Sequence, residues 1–224
     1  MKALIFDSGS IINFSMNGIL DVLAKLKKIF RGKFLITESV KEEIIKRPLN
    51  IKKFELGALK IQSLLDEGVI EVPSSLGIKN LEIENDTKEI LELANRAFFI
   101  KDRYIHLIDK GEASCLVLSE ILSKRNIKNL IVIDERTTRM LCEKPGNLHK
   151  LLETKLHTKI NFNEKNFSRF SEFKFIRSCE LLYIAYKKNL VELKNGKVLD
   201  ALLYAVKYRG CSVSKNEIEE IKRL

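Results

Sequence analysis

The sequence predicts an α/β protein: a three-layer α/β/α sandwich around a central parallel sheet, followed by an α-rich C-terminal extension. Three observations point there. Short apolar runs at residues 3–6, 34–36, 69–72 and 130–133 have the length of buried strands. Longer stretches at 17–29, 39–46, 53–67, 87–100 and 111–124 carry the 3.6-residue periodicity of amphipathic helices. The two kinds alternate, as they do when crossover helices connect parallel strands and cover both faces of the sheet.

The first run, ALIF, ends on Asp7 and then Ser8, Gly9 and Ser10. A carboxylate there either caps the next helix or serves a site. Pro48 ends the helix over 39–46, Pro73 follows the third run, and SSLG at 74–77 reads as a surface turn. After Leu141 the character changes. Pro145 and Gly146 break the chain, and NFSRFSEFKFIR then mixes Phe167, Phe170, Phe173 and Phe175 with Arg169, Lys174 and Arg177. From Ser178 the pattern is helical, with a turn at Asn195-Gly196 and a stop at Gly210. The reading is an α/β core over residues 1–142 and an extension over 143–224 packed on it.

Composition narrows the function. With 45% hydrophobic and 31% charged residues the chain reads as an ordinary folded protein. No apolar run approaches the roughly 20 residues of a membrane span. A strand pattern occupies the N-terminus in place of a signal peptide, so a cytoplasmic location is expected. Cys115, Cys142, Cys179 and Cys211 are dispersed, as are His106, His149 and His157, which argues against a zinc site or a cysteine- or histidine-based nucleophile. The net charge of +10 favours an anionic partner, nucleic acid foremost.

Acids sit at four strand–helix junctions. Asp7 follows the first strand, Glu43 lies in the helix after the second, Glu112 is in the first turn of the helix over 111–124, and Asp134 ends the strand IVID, with Glu135 beside it. In an open parallel sheet the carboxyl ends of the strands converge on one crevice. Each acid has a local explanation: Asp7 and Asp134 as helix caps, Glu112 with Asp109 as a capping box. Acids at every junction around one edge exceed what capping needs. Glu43 is the sharper case. At about 100° per residue it lies beside the apolar face of Ile36, Val40 and Ile44, while Glu42 points to solvent. A carboxylate leaning inward requires a metal, a hydrogen bond or a counter-charge; the alternative is a pairing with Lys46 or Arg47.

In order, IFDSGSII, SVKEEI, GEASCLVLSEIL and IVIDERTTRML resemble the PIN-domain nucleases, over roughly residues 2–141. The resemblance implies a Rossmann-like sandwich, with an insertion at about 50–105 where the match is loose, and a divalent-metal-dependent ribonuclease. Asp7, Glu43, Glu112 and Asp134 would be its catalytic acids and metal ligands, and Glu135 an additional ligand. Two positions depart from the family pattern: Gly9 stands where Ser or Asn is common, and I-D-E replaces T-D-D. Which of Asp134 and Glu135 touches the metal is therefore open. Oxygen-only ligands suit Mg2+ or Mn2+. Ser8, Ser10, Arg136 and Arg139 are candidate nucleic-acid contacts, and the Phe-and-basic segment 167–177 either stacks bases or packs the extension onto the core. RNA is the expected partner. A homodimer and an antitoxin-like protein partner are further expectations of the resemblance.

Two other enzyme classes fail on spacing. A haloacid-dehalogenase-type phosphatase needs a second Asp where Gly9 stands, and FRGKFLIT lacks the Ser or Thr of a P-loop. A non-catalytic RNA-binding protein and a toxin-type nuclease under antitoxin control remain as alternatives.

Overall fold

The computed structural model describes residues 1–163 and 167–224. Its main sheet has four parallel strands in the order β2-β1-β5-β7: β1 (Lys2–Phe6), β2 (Lys33–Leu35), β5 (Lys128–Val132) and β7 (Phe175–Ile176). Ala3, Leu4, Ile5 and Phe6 are all buried, so successive side chains find cover on both faces of the sheet. The protein is thus α/β, with the parallel sheet inside.

Twelve α-helices are described. After β1 come α1 (Ser8–Met16) and α2 (Leu20–Phe30), in place of one helix over 17–29; Gly18, at φ +69°, makes the break. After β2, α3 (Glu38–Lys41) runs into a π-helical turn (Glu42–Lys46) and then α4 (Arg47–Leu49). The wider turn lets the adjacent Ile44 and Ile45 both face the core. The helices α5 (Lys52–Asp66) and α6 (Asn80–Asn95) follow. The strand expected over 69–72 is reduced to a single bridge, where Glu71 exchanges backbone bonds with Phe34 and Ile36 outside β2.

The helix expected over 87–100 stops at Asn95. Its last residues instead form β3 (Phe98–Ile100), which pairs antiparallel with β4 (Arg103–Tyr104) and β6 (Asn161–Phe162) in a second, small sheet. Phe98, His149, Phe162 and Phe167 pack their rings against one another on it. Between these sheets in chain order lie α7 (Lys110–Lys124), which packs on β1 and β5, then α8 (Arg136–Glu143) and α9 (Pro145–Leu156). The chain ends with α10 (Ser178–Lys187), α11 (Val198–Tyr208) and α12 (Lys215–Arg223). Both β6 and β7 come from residues 143–224, so that segment contributes strands as well as helices. Among the described residues no helix is long and apolar enough to cross a membrane.

Candidate active site

The chain passes from β1 to β2 on one side and later to β5 on the other, so the direction of winding reverses between β1 and β5. A crevice opens at such a reversal, beyond the carboxyl ends of the strands. Asp7 and Asp134 follow these two strands, and the Asp7 amide donates to the Val132 carbonyl at 3.0 Å.

Asp7 is 4% exposed. Its Oδ2 accepts from the Gly9 amide at 3.1 Å, the N-cap bond of α1. Its Oδ1 is buried and has no hydrogen-bond partner among the described residues. Burial, with the nearby charges of Glu43 and Asp134, pushes the carboxyl up to about 7. Capping and site therefore coexist in this one side chain: one oxygen caps, the other is left over.

Glu112 is the second perturbed acid. Burial, reinforced by the charges of Asp7 and Glu135, pushes it up to about 8. Its Oε2 accepts from the Asp109 amide at 2.8 Å, half of the capping box, and its Oε1 accepts from the Thr138 hydroxyl of α8 at 2.8 Å. Thr138 had no sequence signal beyond its place three residues after Glu135.

Glu43 lies on the π turn and is half-buried. Lys46 and Arg47 pair with Glu42 at 3.5 and 3.8 Å, not with Glu43. Among the described residues Glu43 has no ion pair, so the alternative pairing is not formed. Its carboxylate lies against Gly111, where a Cβ would stand 2.8 and 2.9 Å from the two oxygens. Only glycine leaves that space, and a glycine in the first turn of α7 was the available signal. The approach is fixed by Ser114, whose hydroxyl donates to the Gly111 carbonyl and sits 2.6 Å from the hydroxyl of Thr37, the N-cap of α3. Glu43 also lines a cleft of about 670 Å3 shared with Asp109 and Lys110.

Asp134 differs from what the sequence suggested. It is 3% exposed, and both oxygens are committed: Oδ1 accepts from the Ser178 amide at 2.8 Å, and Oδ2 from the Ser178 hydroxyl at 2.7 Å and Asn13 Nδ2 at 2.9 Å. Asn13 also donates to the Val206 carbonyl at 3.0 Å. Asp134 thus ties α1, α10 and α11 to the end of β5. Neither Asn13, lost in the apolar IINF, nor Ser178 announced this role. Glu135 is exposed, and its Oε2 accepts from the Thr138 amide at 2.8 Å as the N-cap of α8.

The remaining candidates separate. Ser8 is half-buried at the start of α1. Ser10 is fully buried, with its hydroxyl given to the carbonyls of Asp7 and Val132, and no bound strand can reach it. Arg136 and Arg139 line a cleft of about 620 Å3 beyond α8. The segment 167–177 packs and does not stack: Phe170 and Phe173 are buried, Arg169 binds Glu120 and Glu89, and Arg177 binds Glu180 and Glu217.

Among the described residues no three histidine, cysteine, aspartate or glutamate side chains stand in ligand geometry as they are placed. The fit of a cation rests on Asp7. Its partnerless buried oxygen, held among acids whose charges raise one another's pKa, is the environment a hard divalent ion relieves. Asp7, Glu43 and Glu135 could hold it with an oxygen that accepts no hydrogen bond among the described residues; Glu112 accepts one bond on each oxygen and keeps lone pairs for it, whereas Asp134 accepts three. Comparison with family models, with curated proteins and with solved structures gives no match.

Proposed function

We propose that the chain is a PIN-like, divalent-metal-dependent nuclease that hydrolyses RNA phosphodiesters in the crevice at the ends of β1 and β5. The observation that carries this reading is the buried, partnerless Oδ1 of Asp7 beside Glu43 and Glu112. Mg2+ or Mn2+, bound there, would neutralise the acids and stabilise the charge that develops on a phosphate under attack by water.

The chain's own residues do the rest. The Gly9 amide holds Asp7 so that one oxygen stays free for the site. Thr138 and the Asp109 amide orient Glu112. Gly111 admits the Glu43 carboxylate against the first turn of α7. Asp134 is a positioning residue, fixing α1 and α10 around the end of β5, and Glu135, with one oxygen uncommitted, is the better ligand of the pair. Arg136 and Arg139 meet the phosphates from α8.

Cleavage of a labelled mixed-sequence RNA in Mn2+, in Mg2+ and in EDTA tests the reading, with Asp7→Asn alongside. Cutting that needs the metal and vanishes in the variant supports it. RNA bound by the wild type but left intact in both metals overturns it in favour of a non-catalytic binding protein.

A further inference from the structure

One residue beyond Glu135 the chain enters the second cleft, of about 620 Å3, bounded by α8, the α8–α9 junction and the end of α11. Arg136 and Arg139 come from α8, Lys144 from the junction, and Lys207 and Tyr208 from the last turn of α11. Two acids also line it. Glu217 is matched by Arg177 at 2.7 Å, which leaves Glu143. Three of the four cations meet neutral groups: Arg136 Nε the sulfur of Met140, Arg139 the carbonyls of Glu135 and Ser212, and Lys207 the carbonyl of Val213. Among the described residues none of the four is in an ion pair. Four cations facing one unmatched acid attract a polyanion.

Tyr208 adds a second chemistry. Its side chain belongs to a residue 74% exposed, and its ring stacks on Tyr204 with centroids 6.1 Å apart and planes at 30°. A largely exposed ring beside Tyr204, lining a basic cleft, is a platform for an unpaired base. The far wall is also tied to the acids, because the Ser212 amide donates to the Asp134 carbonyl at 2.9 Å.

We infer that this cleft binds the single-stranded stretch of RNA next to the scissile bond, its phosphates on Arg136, Arg139, Lys144 and Lys207 and one base on Tyr208. The identity of the polyanion rests on the nuclease reading above; the cleft itself does not require hydrolysis. The C-terminal segment then supplies one wall of the substrate path.

The test is fluorescence anisotropy of a short labelled single-stranded RNA on the full chain, in EDTA and over a series of KCl concentrations. Circular dichroism verifies the fold of each variant. Tyr208→Ala is expected to weaken binding roughly 5-fold or more, with Tyr208→Phe close to wild type. Arg136→Ala is expected to lower the log–log salt slope by about 0.7. Lys128→Ala, at the opposite end of β5, should change neither. Wild-type affinity in Tyr208→Ala, equal loss in Lys128→Ala, or equal competition by a blunt RNA duplex overturns the inference. Cleavage in Mn2+ on the same RNA separates the two readings. Cutting with Tyr208-insensitive binding leaves the nuclease and removes the cleft; Tyr208-sensitive binding without cutting does the reverse.

Discussion

Replacing Asp7 by Asn should make the metal-free protein more stable, and only above acidic pH. In the folded chain the Asp7 carboxyl is raised from the ordinary 3.8 to about 7, chiefly by burial. Between these values the folded state holds a proton that the unfolded state has released, so stability falls as pH rises through this window. At about 1.36 kcal/mol per pKa unit, the full penalty is about 4 kcal/mol and is complete above neutrality. Relaxation around Oδ1 and coupling to Glu112 reduce it, and about 2–4 kcal/mol is the expected span. Asn carries no charge, keeps an oxygen for the Gly9 amide, and places its amide where Oδ1 has no partner. The assay is urea or thermal unfolding of both proteins in EDTA from pH 4 to 8. The advantage of Asp7→Asn should be small at pH 4 and grow to a plateau above pH 7. For a chain of this size about 2–4 kcal/mol corresponds to roughly 5–15 °C in Tm. A pH-independent difference, or an Asn variant less stable at pH 8, refutes the reasoning.

The same substitution at Asp134 should have the opposite sign. Three donors converge on that carboxylate, and an Asn amide would face one of them, so Asp134→Asn should lose about 1–3 kcal/mol by urea unfolding. Ser178→Ala, which strips one of those donors, should lose a similar amount while leaving the metal-dependence of cleavage in place. Gly111→Ala puts a methyl 2.8 Å from a Glu43 oxygen, and since the far end of that side chain can swing away, unfolding should change little. Cleavage should instead fall about 10- to 100-fold through the displaced carboxylate. Phe170→Ala should cost about 3–5 kcal/mol, because the ring is fully buried in the core, not held out for bases.

The parts of the fold that were legible are those long enough to carry a period. The runs at β1, β2 and β5 and the helices α5 and α7 stand where length and periodicity put them. The small sheet was not legible: FFI looks like the tail of a helix, and only its pairing with β4 and β6 makes it a strand. At two residues, β7 is too short to alternate, and its Phe175 read as part of an aromatic mixture. Counting at 100° per residue set Glu43 apart from Glu42, and Glu42 is the one that pairs with Lys46 and Arg47, but both are half-buried and the count could not show the π turn beneath them.

At the site, position gave the acids and chemistry sorted them. Asp7 and Asp134 look alike in sequence, each an aspartate closing a strand. Their difference comes from partners far along the chain: Asn13 and Ser178 satisfy Asp134, and among the described residues nothing satisfies Oδ1 of Asp7. Such pairings over more than 40 residues leave no local pattern. Ser10 is mixed: its hydroxyl donates to the Asp7 carbonyl three residues back, and also to that of Val132 across the sheet, which no local pattern shows.

The most direct measurement is Mn2+ binding, followed by loss of the free-ion paramagnetic resonance signal at neutral pH. Wild type, Asp7→Asn and Glu42→Gln are compared without RNA. The wild type should take up Mn2+, Asp7→Asn should bind it far more weakly, and Glu42→Gln, whose charge is spent on Lys46 and Arg47, should match the wild type. Equal binding by wild type and Asp7→Asn would contradict the account, because the ion would then sit somewhere other than the crevice at the ends of β1 and β5.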